Sequence, residues 1–74
     1  MSQILAMDKV AIEKEIEELN QNIRKLHTEA WTHRVKNDDI SFRCAQRLIR
    51  ARKARIKLCE WALTYIDSLQ TKSD

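Results

Sequence analysis

The 74-residue sequence predicts an all-α protein, a two-helix antiparallel hairpin of coiled-coil type that forms one domain over residues 1–74. Glycine and proline are both absent, although average usage of roughly 7% and 5% predicts about nine of them in a chain this long. Strand-rich folds need those residues at turns and bulges. Apolar residues recur at helical spacing in both halves, and a cluster of turn-forming residues lies near the midpoint.

The first helix is expected over about residues 4–35. From Ile12 to Ala30 the apolar positions are separated by alternating steps of four and three residues, which is the a/d spacing of a coiled coil. Asp8 fits an N-cap or a first-turn acid, and His33 places positive charge where a helix C-terminus is negative. The apolar arc of this helix covers only about 80°.

The turn is expected at residues 36–39, inside the segment KNDDIS. Asn37 can adopt the left-handed backbone conformation that glycine usually supplies. Asp38 or Asp39 can cap the helix that follows. A polar turn of this length joins two antiparallel helices.

The second helix is expected over about residues 39–70, with apolar residues in two adjacent rows that together span about 200°. The first row contains Ala45, Ile49, Ile56, Cys59, Leu63 and Ile66. The second row contains Cys44, Leu48, Ala51, Leu58, Ala62, Tyr65 and Leu69. The narrow arc of helix 1 cannot cover both rows, so an exposed apolar surface is expected, and such surfaces usually mark interfaces.

This surplus of apolar surface predicts a module for protein–protein interaction, completed by self-association or by a different protein. The expected contact residues are Trp31, Leu48, Arg52, Arg55, Leu58, Trp61, Ala62, Tyr65 and Leu69. Tryptophan outside a core is a recurrent hot-spot residue, and packing on the neighbouring helix is the alternative. A purely structural homodimeric four-helix bundle is the simplest alternative function.

Arg52 and Arg55 project inside the apolar arc of the second helix. Long arginine stems can pack on apolar surface while the charge reaches the edge. Folding about residue 37 brings Arg55 within a turn of Glu15 and Glu18, which predicts an intramolecular ion pair, with a carboxylate of a partner as the alternative.

The middle of the chain is strongly basic. Residues 24–57 hold eleven Arg and Lys against three acids, a net of +8, whereas residues 1–23 and 58–74 carry −3 and −2. Such a region attracts phosphate, and the candidate phosphate-binding residues are Arg43, Arg47, Arg50, Lys53 and Lys57. The alternative function is therefore a small basic regulator of phage or plasmid type that binds nucleic acid or a nucleic-acid-processing protein. Nucleic-acid-binding motifs are absent, and a solvated helix face explains the same cations.

Catalysis is not expected of this chain. A core this small cannot support a deep cleft, and the sequence has no glycine loop for a phosphate and no nucleophile elbow. His27 and His33 diverge on one helix, so no metal, cofactor or small-molecule substrate is expected. Cys44 and Cys59 lie about 22 Å apart on one helix, beyond disulfide reach. A reducing cytoplasm and no membrane span are the expected setting.

The layout resembles the small helical-hairpin co-chaperones that guard needle subunits in type III secretion. The residues that carry the likeness are the polar mid-chain turn VKNDDIS and the apolar, aromatic-containing end KLCEWALTYIDSL. The resemblance implies a cytoplasmic, non-catalytic protein that binds a larger helical-repeat chaperone and helps to keep an aggregation-prone subunit unpolymerised. The strongly basic middle is a departure from that layout.

Overall fold

The structure is a computed structural model that describes the backbone of residues 2–72 and the side chains of residues 8–69. Helix α1 spans Ser2–Val35 and helix α2 spans Asp39–Lys72. The two helices run antiparallel as a hairpin, and no strand forms within the described backbone. The predicted all-α hairpin is confirmed.

The helix ends differ slightly from the prediction. Helix α1 begins at Ser2, which places Asp8 in its second turn. The interpretation of Asp8 as an N-cap or first-turn acid is therefore wrong, because no glycine or proline before it interrupts the helix. Helix α2 runs to Lys72, two residues past the expected end, a difference within the usual uncertainty of helix ends.

The end of α1 is closed by a residue in the left-handed conformation. Asn37 has φ of 59°, as predicted. Its amide donates to the carbonyl of Arg34 at 3.1 Å, and the amide of Asp38 donates to the carbonyl of His33 at 2.8 Å. This pair of hydrogen bonds is the Schellman motif, which satisfies carbonyl groups that the last helical turn leaves open.

Asp38 also caps the start of α2. Its Oδ1 accepts a hydrogen bond from the Ser41 amide at 3.1 Å, and its carbonyl accepts the Phe42 amide at 3.0 Å. This is the N-cap arrangement. Hydrogen bonds from the Ser41 side chain and amide lower the pKa of the Asp38 carboxyl. Asp38 therefore takes part in both helix ends, and the reversal takes only the three residues 36–38.

The first row of α2 packs against α1. The buried residues are Ile23, Leu26 and Ala30 from α1, and Ala45, Ile49, Cys59 and Ile66 from α2. Ile56 adds a partly buried contact to the cluster of Ile23, Leu26 and Ile49. None of the side chains at residues 8–69 is completely enclosed, because each helix covers only one side of the other.

The molecule is a rod with one interhelical seam. Its Cα atoms extend over 57 × 14 × 11 Å with a radius of gyration of 16.8 Å, against about 11 Å for a compact domain of this length. The register of the two helices is marked by two ion pairs, Arg55 Nε with Glu15 Oε1 at 2.9 Å and Lys9 Nζ with Asp67 Oδ1 at 3.1 Å. The predicted ion pair between Arg55 and the first helix is confirmed, with Glu15 as its partner.

The left-handed residue at the turn gives a test of the fold. We expect Asn37→Ala to destabilise the hairpin by about 1 kcal/mol, because a Cβ without a polar group is unfavourable in this conformation. Asn37→Gly is the matched control and should unfold at the same or a higher urea concentration, since glycine adopts the conformation freely. Urea unfolding followed by circular dichroism measures both. Equal stability of the alanine and glycine variants would contradict the role of the turn.

Acid should weaken the hairpin through two carboxyl groups. The hydrogen bond from Arg55 lowers the pKa of Glu15 below its ordinary value of 4.5, and that of Asp38 lies below its ordinary 3.8. The stability that each ionised carboxyl group contributes is fully present above its ordinary pKa. It is lost as the pH falls through the lowered pKa of the folded chain. We expect the thermal unfolding midpoint of the native chain to fall across this pH range. The midpoint of the doubly substituted Glu15→Gln, Asp38→Asn chain should fall less. An unchanged slope in that chain would contradict the assignment.

Candidate protein-interaction site

A row of large apolar side chains lies on the face of α2 that is turned away from α1. Leu58, Trp61 and Tyr65 are 60%, 81% and 66% exposed. Their spacing of three and four residues aligns them along one face of the helix. Ala62 and Leu69 lie beside them, half-buried and exposed respectively. We call these five residues the outer patch.

Two shallow, overlapping depressions follow the outer patch. One, of about 600 Å³, is lined by Leu58, Trp61, Ala62, Thr64, Tyr65 and Ser68. The other, of about 670 Å³, is lined by Ala54, Lys57, Leu58, Glu60, Trp61 and Thr64. All of these residues belong to α2, so the depressions are open along the rod and only another molecule would enclose them.

The outer patch exists because α1 reaches only one of the two apolar rows of α2. The second row stays outside the interhelical seam: Ala62 is half-buried, and the exposed members are Cys44, Leu48, Ala51, Leu58, Tyr65 and Leu69. Leu48, which the sequence also predicts as a contact residue, lies ten residues before Leu58, a distance of about 15 Å along the helix. It extends the same apolar strip toward the turn.

The two arginines within the predicted contact set lie outside the outer patch. Arg52 is half-buried and belongs to the inward side of α2, between Ile49 and Ile56. Arg55 is already held by Glu15 across the hairpin. This hydrogen bond raises the pKa of the Arg55 guanidinium, so Arg55 already has a partner within the chain.

The two tryptophans lie on different parts of the rod. Trp61 belongs to the outer patch, whereas Trp31 is 71% exposed near the turn. There it lines a groove of about 400 Å³ with His27, Ala30, Arg34, Phe42, Gln46, Ile49, Arg50 and Lys53. None of the other predicted contact residues lines this groove.

The turn-end groove combines an aromatic side chain with positive charge. All five cations that the sequence proposes for phosphate are exposed, and two of them, Arg50 and Lys53, line this groove. Arg34 also lines it, and its guanidinium carbon lies 5.2 Å from the centre of the Phe42 ring, within the range of a cation–π contact. Sequence reasoning missed Arg34 and Phe42. The spacing of His27, Trp31 and Arg34, four and three residues, is the signal that places one wall of the groove on a single helix flank.

Histidine and cysteine do not converge on a site. Among the described residues no three His, Cys, Asp or Glu side chains lie close enough to hold a metal ion. Cys44 is exposed and Cys59 is buried, and both are free thiols. Burial in the interhelical seam raises the pKa of the Cys59 thiol, and the nearby carboxylate of Glu15 raises it further.

Comparison of the chain with family models, with curated proteins and with solved structures finds no match. Within the described part of the chain, neither helix has an apolar stretch of the length that a bilayer crossing requires.

Proposed function

We propose that this protein is a non-catalytic interaction module that binds a helical segment along the outer patch. The observation that supports this most strongly is the exposure of Trp61 together with Leu58 and Tyr65 on one continuous row. An aromatic side chain buries about 150–250 Å² when it is fully covered, so the exposed parts of Trp61 and Tyr65 alone offer roughly 300 Å². The largest apolar patch on a monomer is commonly of this size and is often functional.

A helix fits this surface better than an extended peptide does. The outer patch is built on one helix and repeats at three and four residues, which is the spacing that a second helix matches with knobs and holes. Extended peptides instead add to a sheet edge, and no strand occurs in the described part of the chain. A helical partner would lie along α2 and close both depressions.

The resemblance to secretion co-chaperones supports a finer proposal about the partner. We propose a larger helical-repeat chaperone as one candidate, bound in the cytoplasm, with the aromatic end of α2 as the contact. The exposed free thiol of Cys44 suits a reducing compartment. This finer proposal and the general one share the same surface, so one set of variants tests both.

The outer patch gives the test. We expect Leu58→Asp and Tyr65→Asp each to weaken association by about 30-fold or more, because a buried carboxylate without a partner opposes binding. Helicity should stay close to that of the native chain, since both side chains point away from the interhelical seam. Gln21→Asp adds the same charge at an exposed position of α1 and is the matched control.

Self-association is measured by sedimentation of the purified chain. Binding of another protein is measured by capturing proteins from the host with the native chain, purifying the captured protein and titrating it against each variant. Binding that both patch variants lose and the control keeps supports the proposal. If both variants self-associate and retain the same proteins as the native chain, the outer patch is not the binding surface.

A second candidate function is binding of single-stranded nucleic acid at the turn-end groove. The observation that favours it is the placement of Trp31 beside Arg34, Arg50 and Lys53, because proteins that bind single strands combine a basic groove with aromatic rings on which bases stack. The cations attract the phosphates, and the exposed ring of Trp31 offers the stacking surface.

The nucleic-acid candidate predicts a salt-dependent complex. With three phosphate contacts, from Arg34, Arg50 and Lys53, the affinity for a single strand should fall with a log–log salt slope of about −2. Arg50→Glu with Lys53→Glu should abolish binding, and Trp31→Ala should weaken it about tenfold or more through lost stacking. Lys14→Glu with Lys25→Glu makes the same charge change at two exposed positions on another flank of α1 and should weaken binding much less. Fluorescence titration at several salt concentrations measures this, and no binding at low salt would exclude the candidate.

A further inference from the structure

We infer that the outer face of α2 binds the same face of a second copy of this chain in the antiparallel direction. The inference rests on the proposed function, because it names the partner of the same patch. It further specifies the architecture, a single layer of four helices in the order α1, α2, α2 of the second copy, α1 of the second copy. The relative positions of two rows along α2 lead to this arrangement.

Two lines of residues on nearly opposite sides of α2 have the same spacing, and we call them the inward row and the outer row. The outer row differs from the second apolar row described above, because it includes Ala54, Trp61 and Ser68. The inward row is Ala45, Ile49, Arg52, Ile56, Cys59, Leu63 and Ile66, in steps of four and three. The outer row is Ala51, Ala54, Leu58, Trp61, Tyr65 and Ser68, in steps of three and four. Each outer position follows an inward position by two residues, which is about 200° around a helix.

The two rows therefore lie on nearly opposite sides of α2. A helix that binds the outer row is placed across α2 from α1 and does not contact the existing seam. The resulting dimer is a layer, which differs from a four-helix bundle with a shared core. The inward row already holds α1, and the outer row holds a second heptad-like seam free of charged residues from Ala51 to Ser68.

Side-chain sizes match when two outer rows meet antiparallel. At the centre, Leu58 of each copy faces Trp61 of the other. On either side, Tyr65 of one copy faces Ala54 of the other, where the small methyl group leaves space for the ring. Ala51 faces Ser68 at the ends. A two-fold axis repeats each contact, as an isologous dimer requires, and the large residues concentrate at the middle of the interface.

Charge selects the antiparallel direction over the parallel one. Residues 43–57 carry seven Arg and Lys and no acid, so a parallel pair would place two strongly basic segments side by side. The antiparallel pair places Lys57 next to Thr64, and Leu48 next to Leu69. The basic half of each copy then lies beside the other copy's less basic half.

Charge and size also select the register. A shift of one heptad in one direction brings Lys57 next to Lys57 of the second copy, which is repulsive. A shift in the other direction sets Trp61 against Tyr65 on both sides of the axis, so two large rings meet where the proposed register pairs a large residue with a smaller one. The central pairing of Leu58 with Trp61 avoids both problems. The contact runs over 18 residues, about 27 Å, so we expect a small, reversible interface.

Disulfide trapping tests direction and register together. Ala51→Cys and Ser68→Cys replace two small, facing residues, and Cys44→Ser removes the exposed native thiol from the background. Within one chain the two new thiols are about 25 Å apart and cannot bond. In the proposed dimer, the thiol at position 51 of one copy bonds to the thiol at position 68 of the other copy. We expect a covalent dimer on mild oxidation of the double-cysteine chain, and of an equal mixture of the two single-cysteine chains.

Sedimentation of the native chain over a range of concentrations completes the test, with Trp61→Ala expected to raise the dimer dissociation constant about 30-fold or more. A covalent dimer from either single-cysteine chain alone indicates parallel pairing and overturns the inference. A native chain that stays monomeric but binds another protein, with loss of binding in Leu58→Asp, overturns the self-pairing and leaves the proposed function standing. A monomer with no patch-dependent partner overturns both.

Discussion

The packing of one apolar row of α2 onto the narrow apolar stripe of α1 determines which surfaces of this hairpin remain exposed. Ile23 and Leu26 on α1 and Ile49 on α2 form the buried cluster, and the three-residue turn holds the two rows in register. Since α1 has no second apolar face, it covers only the inward side of α2. The exposed row with Trp61 at its centre is therefore a direct consequence of how the core forms.

The polar interactions align the helices more than they stabilise them. The ion pairs of Arg55 with Glu15 and of Lys9 with Asp67 lie at exposed or half-exposed positions, where such pairs contribute little net free energy. They do oppose any sliding of α2 along α1 by one turn, because both pairs would break together. The bond to Glu15 directs the Arg55 guanidinium toward α1, so the outer patch is bordered on that side by a paired charge.

Local chemistry made much of the fold predictable. Asn37 and Asp38 are among the few residues suited to end one helix and begin the next, and the expected pairing of Arg55 with Glu15 follows from counting residues back from the turn. The choice between the two rows of α2 was not predictable, because both are apolar at helical spacing and only the interhelical contact distinguishes them.

Other features depend on positions across the two helices. Trp31 and Trp61 are separated, and Arg34 meets Phe42 across the turn, although nothing in either helix alone indicates this. Asp8 was placed wrongly because a favourable capping residue was given more weight than the uninterrupted helical sequence before it. Distance along the rod, which a helical wheel does not represent, decides whether two residues on one face belong to one site.

The two native cysteines test the central claim directly, because Cys59 belongs to the row that packs on α1 and Cys44 to the row that stays exposed. The measurement is the rate at which each thiol of the folded chain reacts with iodoacetamide, with the urea-unfolded chain as reference. Cys44 should react at close to its unfolded rate. Cys59 should react far more slowly, since burial both shields the sulfur and raises the pKa of the thiol. Equal rates for the two cysteines, or faster reaction of Cys59, would contradict the packing on which the outer patch depends.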